Sequence, residues 1–353
     1  MPAGGAARYR KAADMTLLVF SLFLAALLGF SAHRASICTV GAVAEVLSTR
    51  RAYMFLSFVK TILWIIAITV PLIWLLPAAR VSGHGWGLSM VSVLGGFVFG
   101  LGSAINGGCA FSTLTRLANG QVSMVLSLAG FCLGIAAYVS LVTSSVAPPD
   151  VPAPTAYDAS NPWALALAAG LWAWIVWETA RLWRTRQSGL AWTALVLSSR
   201  YRLSTAAALL GLSNGILYAL YGSWAYTSTL GQATERVMGT GSGPSALHVA
   251  FFASLLAGMV LSAWENGSFR LDWRPSFAWA RNLVGGLLMG LGAAMVPGGN
   301  DVLVLHSIPG LSPHAVPAYG AMIAGIAAVF IMMRLVQGET MTVDCSGDIC
   351  VSR

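Results

Sequence analysis

Charge is the scarcest thing in this sequence. Asp, Glu, Lys and Arg make up only 9% of its 353 residues, while 57% are hydrophobic. A soluble domain needs far more charge to cover its surface, so a water-soluble fold is excluded. Acidic residues are the rarer sign, 12 against 20 basic ones, which gives a formal charge of +8. In a soluble protein that excess would suggest nucleic acid. Here Arg residues fall between apolar runs, where orientation in a bilayer accounts for them, and no nucleic-acid partner is expected. Cysteine is sparse too: Cys38, Cys109, Cys132, Cys345 and Cys350. Five thiols spread over apolar segments make no disulfide framework, and no spacing fits a zinc ribbon, so neither a metal nor a cofactor is expected. A Walker-type GxxxxGK[ST] loop is missing, which leaves no ATP site. A convincing cleavage site after the first apolar run is missing as well, so that run is expected to stay as a membrane span.

Long apolar runs are what the chain has in abundance. At about 20 residues per crossing, its length allows eight to ten spans and no large soluble domain. The expected spans are 15–32, 53–76, 88–105, 122–146, 163–183, 203–221, 245–264, 283–296 and 313–333. Residues 147–161 read as a Pro-rich loop and 181–202 as a basic connector. With the loop outside and the connector inside, most Lys and Arg fall inside, including Arg34, Arg116, Arg270, Arg274, Arg281 and Arg334. The tail from Gly338 then also lies inside.

The most informative stretch is GGFVFGLGSAINGGCAFSTLTRLANG, Gly95–Gly120. Its first half is an apolar helix with a face of small residues that lets another backbone approach. Asn106-Gly107-Gly108 then breaks the helix and delivers Cys109, and Phe111–Leu117 can restart a short helix. Broken backbone at membrane depth needs protein or a water-filled path around it. At an offset of 190 the pattern returns as GGLLMGLGAAMVPGGNDVLVLHSIPG, Gly285–Gly310. A second interrupted segment, LLGFSAHRASICTVGA from Leu27, places Cys38 at its break and aligns with LLGLSNGILYALYGSW from Leu209 at an offset of 182.

Paired interrupted segments point to a transporter's substrate site. The chain is therefore read as an all-α polytopic membrane protein of about nine transmembrane helices with broken or re-entrant segments. Two inverted four-helix repeats are expected at 1–146 and 203–336, around a linker region at 147–202, with a cytoplasmic tail at 337–353. Thiols are soft and polarizable, so Cys38 and Cys109 at such breaks favour a substrate bearing sulfur or another soft atom. Cys132, in an unbroken run, reads as a small core hydrophobe. Arg116, two helical turns beyond Cys109, is positioned to attract an anion or to snorkel at a helix end. His33, Asn106, Glu178, Asn214 and His306 are polar groups at membrane depth and hence functional candidates.

The blocks GGFVFGLGSAINGGC and HRASICTVGA resemble the YeeE/YedE family of bacterial transporters for thiosulfate and related sulfur compounds. The resemblance covers nearly the whole chain. It implies a non-enzymatic permease of the bacterial inner membrane whose cysteine thiols pass thiosulfate along a path, with Cys38 and Cys109 in the first two cysteine positions. Where the family has a second Gly-Gly-Cys, this chain has Gly298-Gly299-Asn300 followed by Asp301. The implied substrate-binding set is Cys38, Gly108, Cys109, Arg116, Gly299 and Asn300. An Asn amide still donates to an anion but offers no thiol. The tail motif Asp344-Cys345-x-Gly347-x-x-Cys350 resembles the opening of TusA-type sulfur carriers, which makes such a carrier a possible cytoplasmic partner. The rival readings are a membrane sulfurtransferase using Cys109 and a subunit that only docks a soluble sulfur carrier.

Overall fold

Apolar runs flanked by Ser, Gly and aromatic residues fold as helices throughout the computed structural model. The structure describes residues 3–76, 84–141, 150–152, 161–184, 198, 200–337, 343–346 and 349–352. The helices are α1 (Ala3–Ala35), α2 (Thr39–Thr49), α3 (Tyr53–Leu75), α4 (Met90–Asn106), α5 (Ala110–Ala118), α6 (Met124–Leu141) and α7 (Pro162–Arg184). They continue as α8 (Leu203–Tyr221), α9 (Tyr226–Val237), α10 (Ala246–Glu265), α11 (Phe277–Met295), α12 (Asn300–Ser307) and α13 (Ala315–Gln337). Among the described residues, strands form two antiparallel pairs. One is β1 (His84–Trp86) with β2 (Asp150–Pro152), the other β3 (Val343–Ser346) with β4 (Ile349–Ser352).

Among the described residues, eight helices are long and apolar enough to cross a membrane, or nine counting α11 with α12, which meet at a 49° bend. The chain is a multi-pass helical membrane protein. Many apolar side chains face outward, among them Phe23, Leu94, Leu133, Trp172 and Val284. Apolar surface of this extent suits lipid and not water.

Helices one offset apart pack crosswise. α4 lies against α13 and α11 against α6, while α1 lies against α10 and α3 against α8. Glycine makes these contacts possible, because lipid supplies no hydrophobic drive and close backbone packing must hold the bundle. A Cβ on Gly100 would sit 2.1 Å from the Met322 carbonyl oxygen, and one on Gly290 would sit 1.9 Å from that of Phe131. Gly100 and Gly290 are themselves 190 residues apart.

Several charges inside the bundle are paired. Glu178, 1% exposed, accepts from Lys60 at 2.9 Å and from Arg181 at 2.7 Å, which ties α7 to α3. Lys60 Nζ also donates to Ser204 Oγ at 2.7 Å, extending the link to α8. Arg34, buried in the last turn of α1, pairs with Glu265 and donates to Ser262 Oγ at 2.9 Å. Glu178 thus serves helix packing.

The structure moves one expected boundary and adds detail to two other stretches. The span expected from Leu283 begins at Phe277, with Ser276 in extended conformation before it. The interruption in LLGLSNGILYALYGSW forms near its end: the Asn214 amide donates to the Leu305 carbonyl at 2.8 Å, and the helix runs to Tyr221, the expected end of that span. The chain turns at Gly222, with φ 76°, and α9 starts at Tyr226, an offset of 187 from Thr39 at the start of α2. The polar tail forms a hairpin that pairs Cys345 opposite Cys350, and β3 lies beside α2. Most of the Pro-rich loop, most of the basic connector, and residues 142–146 of the fourth expected span lie outside the described residues.

Candidate functional site

Four short helices begin at one buried place. The residues just before them are Cys38 for α2, Cys109 for α5, Ala225 for α9 and Gly299 for α12, each with extended ψ. The first turn of a helix exposes backbone N–H groups that have no partner within the helix. Side chains from the neighbouring helix starts meet several of these.

Asn106 builds the first break. Its Nδ2 donates to the Gly108 carbonyl at 3.1 Å and to Thr113 Oγ1 at 2.9 Å, and its Oδ1 accepts from Ser127. Gly107, with φ 75°, reverses the chain, and Gly108 N–H donates to the Ser103 carbonyl at 3.0 Å. Gly108 is thus a turn residue whose N–H is already used. Cys109 N–H then donates to Cys38 Sγ at 3.5 Å.

The second break repeats this pattern with different atoms. Gly299 N–H donates to Thr227 Oγ1 at 3.3 Å, just as Cys109 N–H donates to Cys38 Sγ. A Cβ on Gly299 would fall 2.6 Å from Asp301 Oδ1 and 2.8 Å from Thr227 Cγ2. A side chain at the position one offset from Cys109 would therefore displace the Thr227–Asp301 pair. Thr227 donates its hydroxyl to Asp301 Oδ1 at 2.6 Å and its N–H to Asp301 Oδ2 at 3.3 Å. A sulfur pair stands in one half and a hydroxyl–carboxylate pair in the other.

Asn300 joins the two. Its Oδ1 accepts from Ala110 N–H at 3.2 Å, and its Nδ2 donates to Thr39 Oγ1 at 3.4 Å. Thr39 in turn shares a hydrogen bond of 3.3 Å with the Tyr319 hydroxyl. Cys109, Asn300 and Asp301 are all at most 2% exposed, whereas Cys38 is only partly buried. Arg116 lies apart, donating to Gln121 Oε1 at 2.8 Å and to the Asn106 carbonyl at 3.2 Å. Cys132 sits in the uninterrupted α6.

The structure thus brings Cys38, Cys109, Gly299 and Asn300 together and leaves Gly108 and Arg116 at the edge. It adds Thr39, Thr227, Asp301 and Tyr319. The signal for Thr227 was an offset of 189 from Cys38, hidden because the apparent sequence match at 182 shifted the second break upstream. Among the described residues no group of three His, Cys, Asp or Glu side chains has the arrangement of a metal site.

Residues 34–328 match the family model described as sulphur transport. No curated protein matches the chain.

Proposed function

Since the chain belongs to the YeeE/YedE sulphur transport family, we propose that it is a permease carrying thiosulfate or a related sulfur or selenium oxyanion past Cys109 and Cys38. The observation that carries this reading is the meeting of four helix starts around two thiols. Each helix N-terminus presents roughly half a positive charge and oriented N–H groups, a ready site for an anion. Broken helices aimed at a midplane site are how secondary transporters hold such groups. A thiol can accept a hydrogen bond weakly and donate one weakly, so it suits a terminal sulfur better than a carboxylate or amide would.

Residue roles follow from burial. Cys109 holds the anion deepest, and Cys38, the partly exposed thiol, takes it next. Asn300 and Gly299 form the opposite wall, where the amide Nδ2 of Asn300 can turn from Thr39 to an oxyanion oxygen. Gly108 shapes the turn that presents Cys109. Arg116, two turns along α5, draws the anion toward one mouth. The crosswise packing of helices 190 residues apart supports two inverted halves, 1–146 and 203–336, joined through 147–202 with the tail 337–353 inside. A bacterial inner membrane is the setting that fits, and a TusA-type carrier is the partner proposed for the inner face. The reading gives the chain no covalent step, hence no enzymatic activity.

Purified protein in liposomes should take up labelled thiosulfate faster than sulfate, with sulfite and selenosulfate marking the limits of selectivity. Failure to move any of the four would refute the permease reading. Entry of a dianion against an inside-negative potential costs about 2.3 kcal/mol per charge per 100 mV. With no ATP motif, something else must offset that cost.

A further inference from the structure

Asp301 is a carboxylate 1% exposed, and its contacts are the hydroxyl and N–H of Thr227. No Lys, Arg or His among the described residues pairs with it. An uncompensated charge is costly at such depth, and intramembrane carboxylates of this kind mark ion and proton pathways. The carboxylate is one residue from Asn300, inside the proposed anion site, so its negative charge would oppose the anion it faces.

A second group points the same way. His306 is 2% exposed, and neither ring nitrogen has a hydrogen-bond partner. It lies in a turn widened to i→i+5 bonding, where Ile308 N–H donates to the Leu303 carbonyl at 2.8 Å. Such π turns recur at functional sites. Both residues meet the same short segment of the opposite break. Trp224 faces the His306 ring at 6.4 Å, and Thr227 holds Asp301. Trp224 Nε1 is also buried without a partner. Trp224 packs at 5.2 Å on Phe251, three residues along α10 from the partly exposed His248.

We propose that Asp301 is a proton-binding site and that His248 and His306 lead protons to it from the solvent, making the chain a proton–anion symporter. The proposal rests on the permease reading and adds its driving force. A proton from water passes by way of the His306 ring to a carboxylate oxygen of Asp301. The neutral Asp301 then tolerates the anion beside Asn300 and Cys109. Release of the proton on the inner side with the anion returns the carboxylate, and no bond to sulfur forms or breaks. Each transported dianion then carries at least one compensating positive charge.

The groups facing this pair come from several elements. Thr227 of α9 holds Asp301 and Tyr226 lies beside it, while Cys109, Cys38 and Tyr319 stand on the Asn300–Thr39 side of the site. Tyr218 of α8 packs on His306 at 5.1 Å, and His248 of α10 approaches it, while α3 contributes the apolar Ile65. Glu235 and Arg236 stand at the far end of α9, and Arg116 at the far end of α5. No facing side chain carries a full positive charge and the helix starts supply only partial ones, so a bound proton completes the compensation.

The test loads liposomes containing the full chain with a pH dye and follows labelled thiosulfate and lumenal pH together. Wild type should acidify the lumen as thiosulfate enters, and uptake should rise at least fivefold when the outside is made more acid than the inside. D301N, which keeps the shape but cannot give up a proton, should lose that pH-gradient response, and H306Q should blunt it. Uptake by wild type without lumenal acidification would overturn the coupling and leave the permease intact. An acidification per thiosulfate in D301N equal to wild type would overturn the role of Asp301. If wild type moves no sulfur oxyanion under any gradient, the permease reading falls, and the symport with it.

Discussion

At the residue scale, the site depends on which atom meets each exposed helix N–H. Cys38 Sγ and Thr227 Oγ1 occupy matching places and accept from the N–H of Cys109 and Gly299. The asymmetry of the site is therefore a matter of two or three side chains on a shared backbone plan. Asn300 tests this view. N300A removes an acceptor from Ala110 N–H and a donor to Thr39, a loss of about 1 kcal/mol for each buried hydrogen bond. Uptake of every substrate should fall, and N300C should shift preference toward thiosulfate over sulfate; a competition assay with both labelled anions reads the two effects. C132A, in contrast, alters an unbroken helix away from the breaks and should leave uptake at the wild-type rate.

At the scale of elements, most of the helices were legible in the sequence because a 20-residue apolar run has few alternatives. The break at Asn106-Gly107-Gly108-Cys109 was legible as well, since its glycines and amide are local signals. The turn after Tyr221 was legible as the end of a span, but its correspondence with the break at Cys38 was not, because the sequence match at an offset of 182 aligned other residues. The meeting of the breaks was hidden as well: Cys38 reaches Cys109, and Asn300 reaches Ala110 and Thr39, through tertiary packing, which no local pattern reports. Helix packing gives two predictions here. E178A strands Lys60 against the bundle and should lower stability by about 2 kcal/mol, less than for a fully buried pair because Lys60 and Arg181 keep access to water. Thermal unfolding in detergent would show it as a lower midpoint. G100L drives a branched side chain into the Met322 carbonyl, and overpacking of about 3 kcal/mol should reduce the yield of monodisperse protein; gel filtration reads that directly.

At the scale of the whole molecule, sulphur-family membership, a multi-pass helical bundle and crosswise pairing of helices one offset apart agree on a transporter. The basic residues give it a direction. Arg270 and Arg274 lie between α10 and α11, and Arg281 lies near the start of α11, so that end is expected to face the cytoplasm. S242C and W273C lie beyond opposite ends of α10, and an impermeant maleimide added to intact cells should label position 242 and not 273. The reverse pattern would invert the orientation. Nothing in this scheme needs a protein-bound sulfur intermediate, so the decisive question is whether the deep thiol governs passage.

The most direct measurement is the initial rate of labelled thiosulfate uptake by liposomes carrying wild type or C109A at equal protein content. The substitution removes the deepest sulfur and little volume, so the variant should fold and migrate as wild type in gel filtration. Its uptake should fall by about tenfold or more, the effect of losing about 1.4 kcal/mol at the barrier. A folded C109A that carries thiosulfate at the wild-type rate would contradict the account.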